Sequence, residues 1–228
     1  GLLIVLFIAM VVVSQFMLTF GSDPNAKVTK KSKSPLSFHP IALIFGLLSF
    51  VSYLVEGAVG DWSALYLFED KGIVIEEAVM GVMLFNGTMC IGRLLGNRLG
   101  KHLTSKQVVV GGYLLGSIAM GLIVFLPGHA SMYTYLLLGI SLAMIVPNLF
   151  SAMGEQNVIP MTQAVATSTM LGYMGILMGP ALIGFIAHGT SLTVAFIVLT
   201  ILLVVSAGIG KYAYHLMSKD CGLKFNSL

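Results

Sequence analysis

Apolar residues run along the chain in long blocks, at roughly 2–20, 41–67, 78–96, 107–126, 132–153, 164–187 and 192–210. Short polar clusters such as "GNRLGKHLTSK", "LPGHASM", "GEQNVIPMTQ" and "HGTS" separate the later ones. Each block is near or above the ~20 residues that a helix needs to cross about 30 Å of hydrocarbon. None alternates strictly between apolar and polar positions, as a membrane barrel strand does. In lipid a helix satisfies its own backbone, so the pattern predicts an all-α polytopic membrane protein with seven spans.

The links between blocks set the organisation. The longest, "GSDPNAKVTKKSKSPLSF" (21–38), is rich in Pro, Ser, Asn and Lys, and is a flexible linker. It separates one span from six. The later links are short, so the helices they join are antiparallel neighbours. The expected organisation is a transmembrane helix at 1–20 closing a preceding half, a cytoplasmic linker at 21–38, a six-helix bundle at 39–214 and a cytoplasmic tail at 215–228. The chain opens on Gly1 and enters a span at once, without the basic segment of a signal peptide, so upstream sequence is expected.

Composition agrees with this class. Charged residues are 9% of the 228 and hydrophobic residues 57%, where a soluble domain carries about 25% charged residues. Glycine, at 26 residues, is abundant, as in membrane helices that pack closely. Cys90 lies in a span and Cys221 in the tail, which makes no disulfide framework. His39, His102, His129, His188 and His215 are scattered singly. No metal and no cofactor is expected, and no phosphate loop or nucleophile motif points to an enzyme.

Charge adds an orientation. Threading the spans places eleven of the twelve Lys and Arg on one side, with Lys71 alone on the other. Cytoplasmic loops carry such an excess, so 21–40 and the C-terminus are expected inside. Asp61, Glu69, Asp70, Glu76 and Glu77 gather at the opposite end. The net charge of +3 needs no nucleic acid to explain it, and "KVTKKSKS" is what a cytoplasmic loop near anionic lipid carries.

Three helical stripes hold the polar chemistry. Ser49, Ser52, Tyr53, Glu56, Gly60 and Ser63 recur at three- and four-residue steps. An intramembrane charge costs ~2.5–3.5 kcal/mol on insertion scales, so this stripe is expected to face the bundle interior or a water-filled cavity. A buried carboxyl avoids much of that cost by keeping its proton. Glu56 is therefore a candidate for proton coupling or substrate binding; the alternative is a bond to a neighbouring helix, through Tyr53 or a backbone group. Asp61 reads as an interfacial acid beside an anchoring Trp62. The fifth span carries Ser141, Ile145, Asn148, Ala152 and Glu155, with Pro147 predicting a kink that frees a carbonyl next to Asn148. Asn148 either lines a cavity or bonds another helix. Asn86, Cys90, Arg93 and Asn97 make a third line, with Arg93 expected to snorkel to the cytoplasmic interface. Gly175 and Gly179, followed by Pro180, have the spacing that lets another helix approach closely.

The stretch "GRLLGNRLGK" (92–101) resembles the G-x-x-x-[DN]-R-x-G-[RK]-[RK] loop motif of the major facilitator superfamily. Asn97 stands at the acidic position, followed by Arg98, Gly100 and Lys101, while Arg93 takes a small-residue position beside Gly92. "GYMGILMGPALIG" (172–184), "LLLGISLAMIVPNLFSAMGEQ" (136–156) and "EGAVGDWSALYL" (56–67) are similar to an uncharacterised bacterial inner-membrane subgroup. The resemblance implies that 1–20 matches the sixth helix and 39–214 helices seven to twelve, the C-terminal half of a transporter. It implies alternating access for a small solute, with protons as the coupling ion, the bilayer and an N-terminal half as partners, and the spans holding Glu56 and Asn148 facing the substrate path. Arg98 and Lys101 would hold the inner gate, or only serve the orientation rule. A seven-helix receptor is the competing reading, although 192–210 holds no lysine for a retinal; a non-transporting sensor is another.

Overall fold

The computed structural model describes residues 39–99, 103–156 and 158–220; the block at 2–20 and the linker at 21–38 lie outside the described residues. The helices are α1 (Pro40–Glu69), α2 (Ile75–Leu99), α3 (Ser105–Phe125), α4 (Gly128–Ala143), α5 (Ile145–Glu155), α6 (Met161–Gly189) and α7 (Leu192–Asp220). With α4 and α5 continuing one another over Gly128–Glu155, the described residues supply six lengths long and apolar enough to cross a membrane. No strand occurs among them.

The apolar blocks locate the helices, and local chemistry sets their ends. At α1, Pro40 occupies the first turn and the His39 ring nitrogen accepts from the Ile41 amide at 3.3 Å. At α3, Thr104 and Gln107 form a reciprocal capping box. The last helix runs ten residues past the apolar block that ended at 210, into the segment expected as tail. It does so because Tyr214 and Met217 continue its buried face, with Tyr214 edge-on to Phe45 at 5.6 Å.

The fifth block is interrupted rather than bent. Pro147 cannot donate to the Ala143 carbonyl, and the helix stops at Ala143 and restarts at Ile145. The Asn148 amide and its side-chain Nδ2 both donate to the Met144 carbonyl, at 3.2 and 2.8 Å. The discontinuity therefore sits upstream of the proline, and Asn148 holds the restart by bonding the Met144 carbonyl twice.

Helix α1 packs chiefly on α6, α2 on α4, and α3 on α4 and α7. Glycines set the closest approaches. A Cβ on Gly175 would strike the Phe50 carbonyl and one on Gly179 the Leu54 carbonyl. In the α2–α4 pair, a Cβ on Gly139 would strike the Phe85 carbonyl and the Thr88 hydroxyl. Small residues let backbones meet where lipid offers no hydrophobic drive for association.

The link between α1 and α2 is tied down. Lys71 Nζ donates to the Val124 and Leu126 carbonyls at 2.6 and 2.9 Å, closing the open end of α3. Burial there lowers the Lys71 pKa, and neighbouring Asp70 opposes the shift. The Asp70 carboxylate accepts from the Thr193 hydroxyl at 3.1 Å, joining the link to α7.

Candidate functional site

Glu56 and Arg93 form an ion pair between α1 and α2, with Arg93 Nη2 3.2 and 3.3 Å from the two carboxylate oxygens. Helix direction explains it. The α1–α2 link joins the end of α1 to the start of α2, and Glu56 and Arg93 stand 13 and 18 residues from those ends. At 1.5 Å per residue these are depths of about 20 and 27 Å. Side chains on a helix lean toward its N-terminus. Arg93 therefore leans back toward the link while Glu56 leans away from it, and the two tips converge. The same rule corrects the expectation that Arg93 would snorkel toward the far end of α2.

The pair lies on a partly open face. The Glu56 side chain is 22% exposed and that of Arg93 46%, so each charge keeps some access to a medium other than the core. One turn before Glu56, Tyr53 stacks on Tyr173 of α6, rings nearly parallel at 5° with centroids 6.2 Å apart. Gly172 makes room for this, since a Cβ there would meet the Tyr53 ring at 2.6 Å. Asn86 and Cys90 continue the Arg93 line on the exposed side of α2, where the Asn86 amide donates to the Val82 carbonyl at 3.0 Å. Three helices thus present a carboxylate, a guanidinium and two phenol rings together.

Other residues singled out in the sequence do not join this group. Ser49 and Ser52 are buried, and the Ser52 hydroxyl contacts the Tyr113 hydroxyl at 2.8 Å inside the bundle. Ser63 is also buried and donates to the Val59 carbonyl of its own helix. The first stripe therefore splits along its length, one edge inward and the other outward. Ser141 is buried and donates to the Leu138 carbonyl at 2.7 Å, and Asn148 serves the Met144 break, so their side-chain donors act within their own span rather than on the open face.

Of the loop motif, Gly92 is a contact point, because a Cβ there would meet the Ala143 side chain at 2.6 Å. The side chains of Asn97 and Arg98, and residues Gly100 and Lys101 altogether, lie outside the described part. Pro180 lies within α6. Its carbonyl accepts from the Trp62 indole at 2.9 Å, so Trp62 pins α1 to α6. Tyr173 was not singled out; a polar-tipped aromatic one residue after the first of three closely spaced glycines was the available signal.

No family model matches the chain. It is 41% identical over 168 residues to an uncharacterized MFS-type transporter of Yersinia pestis, covering 72% of this chain and 43% of the relative. It is 31% identical over 151 residues to membrane protein MosC of Rhizobium meliloti, covering 66% and 37%. The chain thus spans about two-fifths of the length of the curated relatives it matches. Among solved structures, the E. coli fucose:proton symporter FucP superposes with a TM-score of 0.64 at 17% identity, over 76% of this chain and 42% of that one. At that identity the likeness shows a shared fold. A multi-pass helical bundle with this architecture, matched in sequence to transporters of that kind, belongs to the major facilitator superfamily.

Proposed function

We propose that the chain is the C-terminal six-helix half, with the helix before it, of a secondary transporter that moves a small solute by alternating access, and that Glu56 couples transport to protons. The observation that carries this reading is the Glu56–Arg93 pair, set within two membrane spans on a partly open face. An ion pair in such a place is weak support for stability, since well-packed apolar residues serve as well or better. Intramembrane ionisable groups mark substrate and proton pathways. A guanidinium beside the carboxylate compensates its charge whenever the proton leaves. Tyr53 and Tyr173 supply aromatic surface and hydroxyls for a solute at the same place. The chain sits in the bacterial inner membrane with its C-terminus inside.

The test is made in the full-length protein. Glu56→Gln keeps the shape of the side chain and loses the titrating group, and is expected to abolish pH-driven uptake or efflux in proteoliposomes. The exchange variant Glu56→Arg with Arg93→Glu separates the proton role from mere bridging of helices. A bridge survives the exchange, so pH-driven transport at the native level in either variant removes Glu56 from the mechanism.

A further inference from the structure

At the end of the bundle where α1 gives way to its link, a cavity of about 540 Å³ opens between the last turns of α1 and α6 and the start of α7. Its size is that of a small-molecule site. It is separate from the Glu56–Arg93 face and owes nothing to the function proposed above. Leu65, Leu192 and the Trp62 ring supply its apolar wall, and Glu69, Asp70 and His188 its polar rim.

The wall is fixed and the rim carboxylates make no ion pair among the described residues. The Trp62 indole N–H is committed to the Pro180 carbonyl. Its ring rests on Gly184, where a Cβ would stand 2.9 Å from a ring carbon. Glu69 has no hydrogen-bond or ion-pair partner among the described residues. Asp70 spends one oxygen on Thr193 and keeps the other. Lys71, the adjacent cation, is turned to the carbonyls of Val124 and Leu126. The cavity thus combines a locked aromatic and aliphatic wall with two carboxylates that make no ion pair among the described residues. No group of three or more His, Cys, Asp or Glu among the described residues is placed to hold a metal ion together. A cation bearing carbon suits both parts, its charge at the carboxylates and its alkyl groups against the indole and leucines.

We propose that this cavity binds an organic ammonium ion, either a free alkylammonium or the headgroup of an amine-bearing phospholipid. Trp62 is the only tryptophan in the chain, so its fluorescence reports on this wall. The purified chain is titrated in maltoside detergent with butylammonium and tetraethylammonium chloride, with butanol and sodium chloride as controls. It is also placed in nanodiscs of phosphatidylglycerol and of phosphatidylethanolamine. A saturable emission change is expected with an ammonium ion and with neither control, or on passing from phosphatidylglycerol to phosphatidylethanolamine discs. The first outcome assigns a solute and the second a lipid headgroup. Glu69→Gln with Asp70→Asn is expected to weaken the response by at least about tenfold in dissociation constant, as loss of charge-assisted contacts does. Glu69→Gln alone breaks no internal bond and should weaken it in the same direction, with helical content checked by circular dichroism. An unchanged titration in both variants, an equal response to butanol or sodium chloride, or no response in detergent and discs overturns the proposal.

Discussion

Ser52 shows how much one side chain's role depends on its neighbour. From its spacing it belongs with Tyr53 and Glu56, yet its hydroxyl meets that of Tyr113, which donates to the Leu48 carbonyl at 2.7 Å. Within a membrane bundle such contacts average about 0.6 kcal/mol and reach about 1.7. Tyr113→Phe is accordingly expected to lower thermal stability in detergent by an amount in that range. Ser52→Ala should cost less, since it removes one of the two contacts that Tyr113→Phe removes, and the double variant should cost little more than Tyr113→Phe alone. Additive losses would show that the two hydroxyls act separately. Glu56 and Arg93 carry the same lesson: each was visible alone in the sequence, but they stand 37 positions apart. Only the antiparallel register of α1 and α2 makes them partners.

At the scale of elements, close approach is concentrated at particular glycines. Gly175 and Gly179 face carbonyls of α1, whereas Gly111 of α3 has open space where its side chain would be. Adding a methyl to the first two must push α1 and α6 apart. Gly175→Ala and Gly179→Ala are each expected to cost about 1–3 kcal/mol, the usual penalty of overpacking. Gly111→Ala should be neutral or stabilising by up to about 1 kcal/mol, the difference in helix propensity. Thermal unfolding of the three variants in detergent checks the contrast, and equal destabilisation would contradict the packing described. The G-x-x-x-G spacing was legible in the sequence. Its partner surface, the backbone from Phe50 to Leu54, was not, because glycine presents nothing that specifies which helix it meets. The break at Met144 was legible as a proline and misplaced, since the lost hydrogen bond falls four residues upstream of the ring.

For the whole molecule, the distribution of charge makes the clearest forecast. Glu76 and Lys211 are exposed near opposite ends of the bundle. In a background carrying Cys90→Ser and Cys221→Ser, a membrane-impermeant maleimide should label Glu76→Cys in intact cells and Lys211→Cys only after lysis. This follows from the excess of basic residues on cytoplasmic loops, and the reverse pattern would invert the orientation. Lys71, the exception to that excess, has a local duty that accounts for it: it caps α3.

Hydropathy along the chain was enough to establish a helical membrane protein and to locate the described spans, apart from the last ten residues of α7, within a few residues, because hydrocarbon thickness and backbone satisfaction leave few other solutions. Periodicity on single helices also exposed Glu56, Arg93 and Tyr53 as residues with something to explain. Which of them meet was decided by tertiary structure alone. A stripe records direction around one axis, while a site needs the offset and lean of a second helix. That offset comes from glycine contacts and link geometry spread across the bundle, which placed Arg93 against Glu56, drew Ser49 and Ser52 inward, and formed the cavity beneath Trp62.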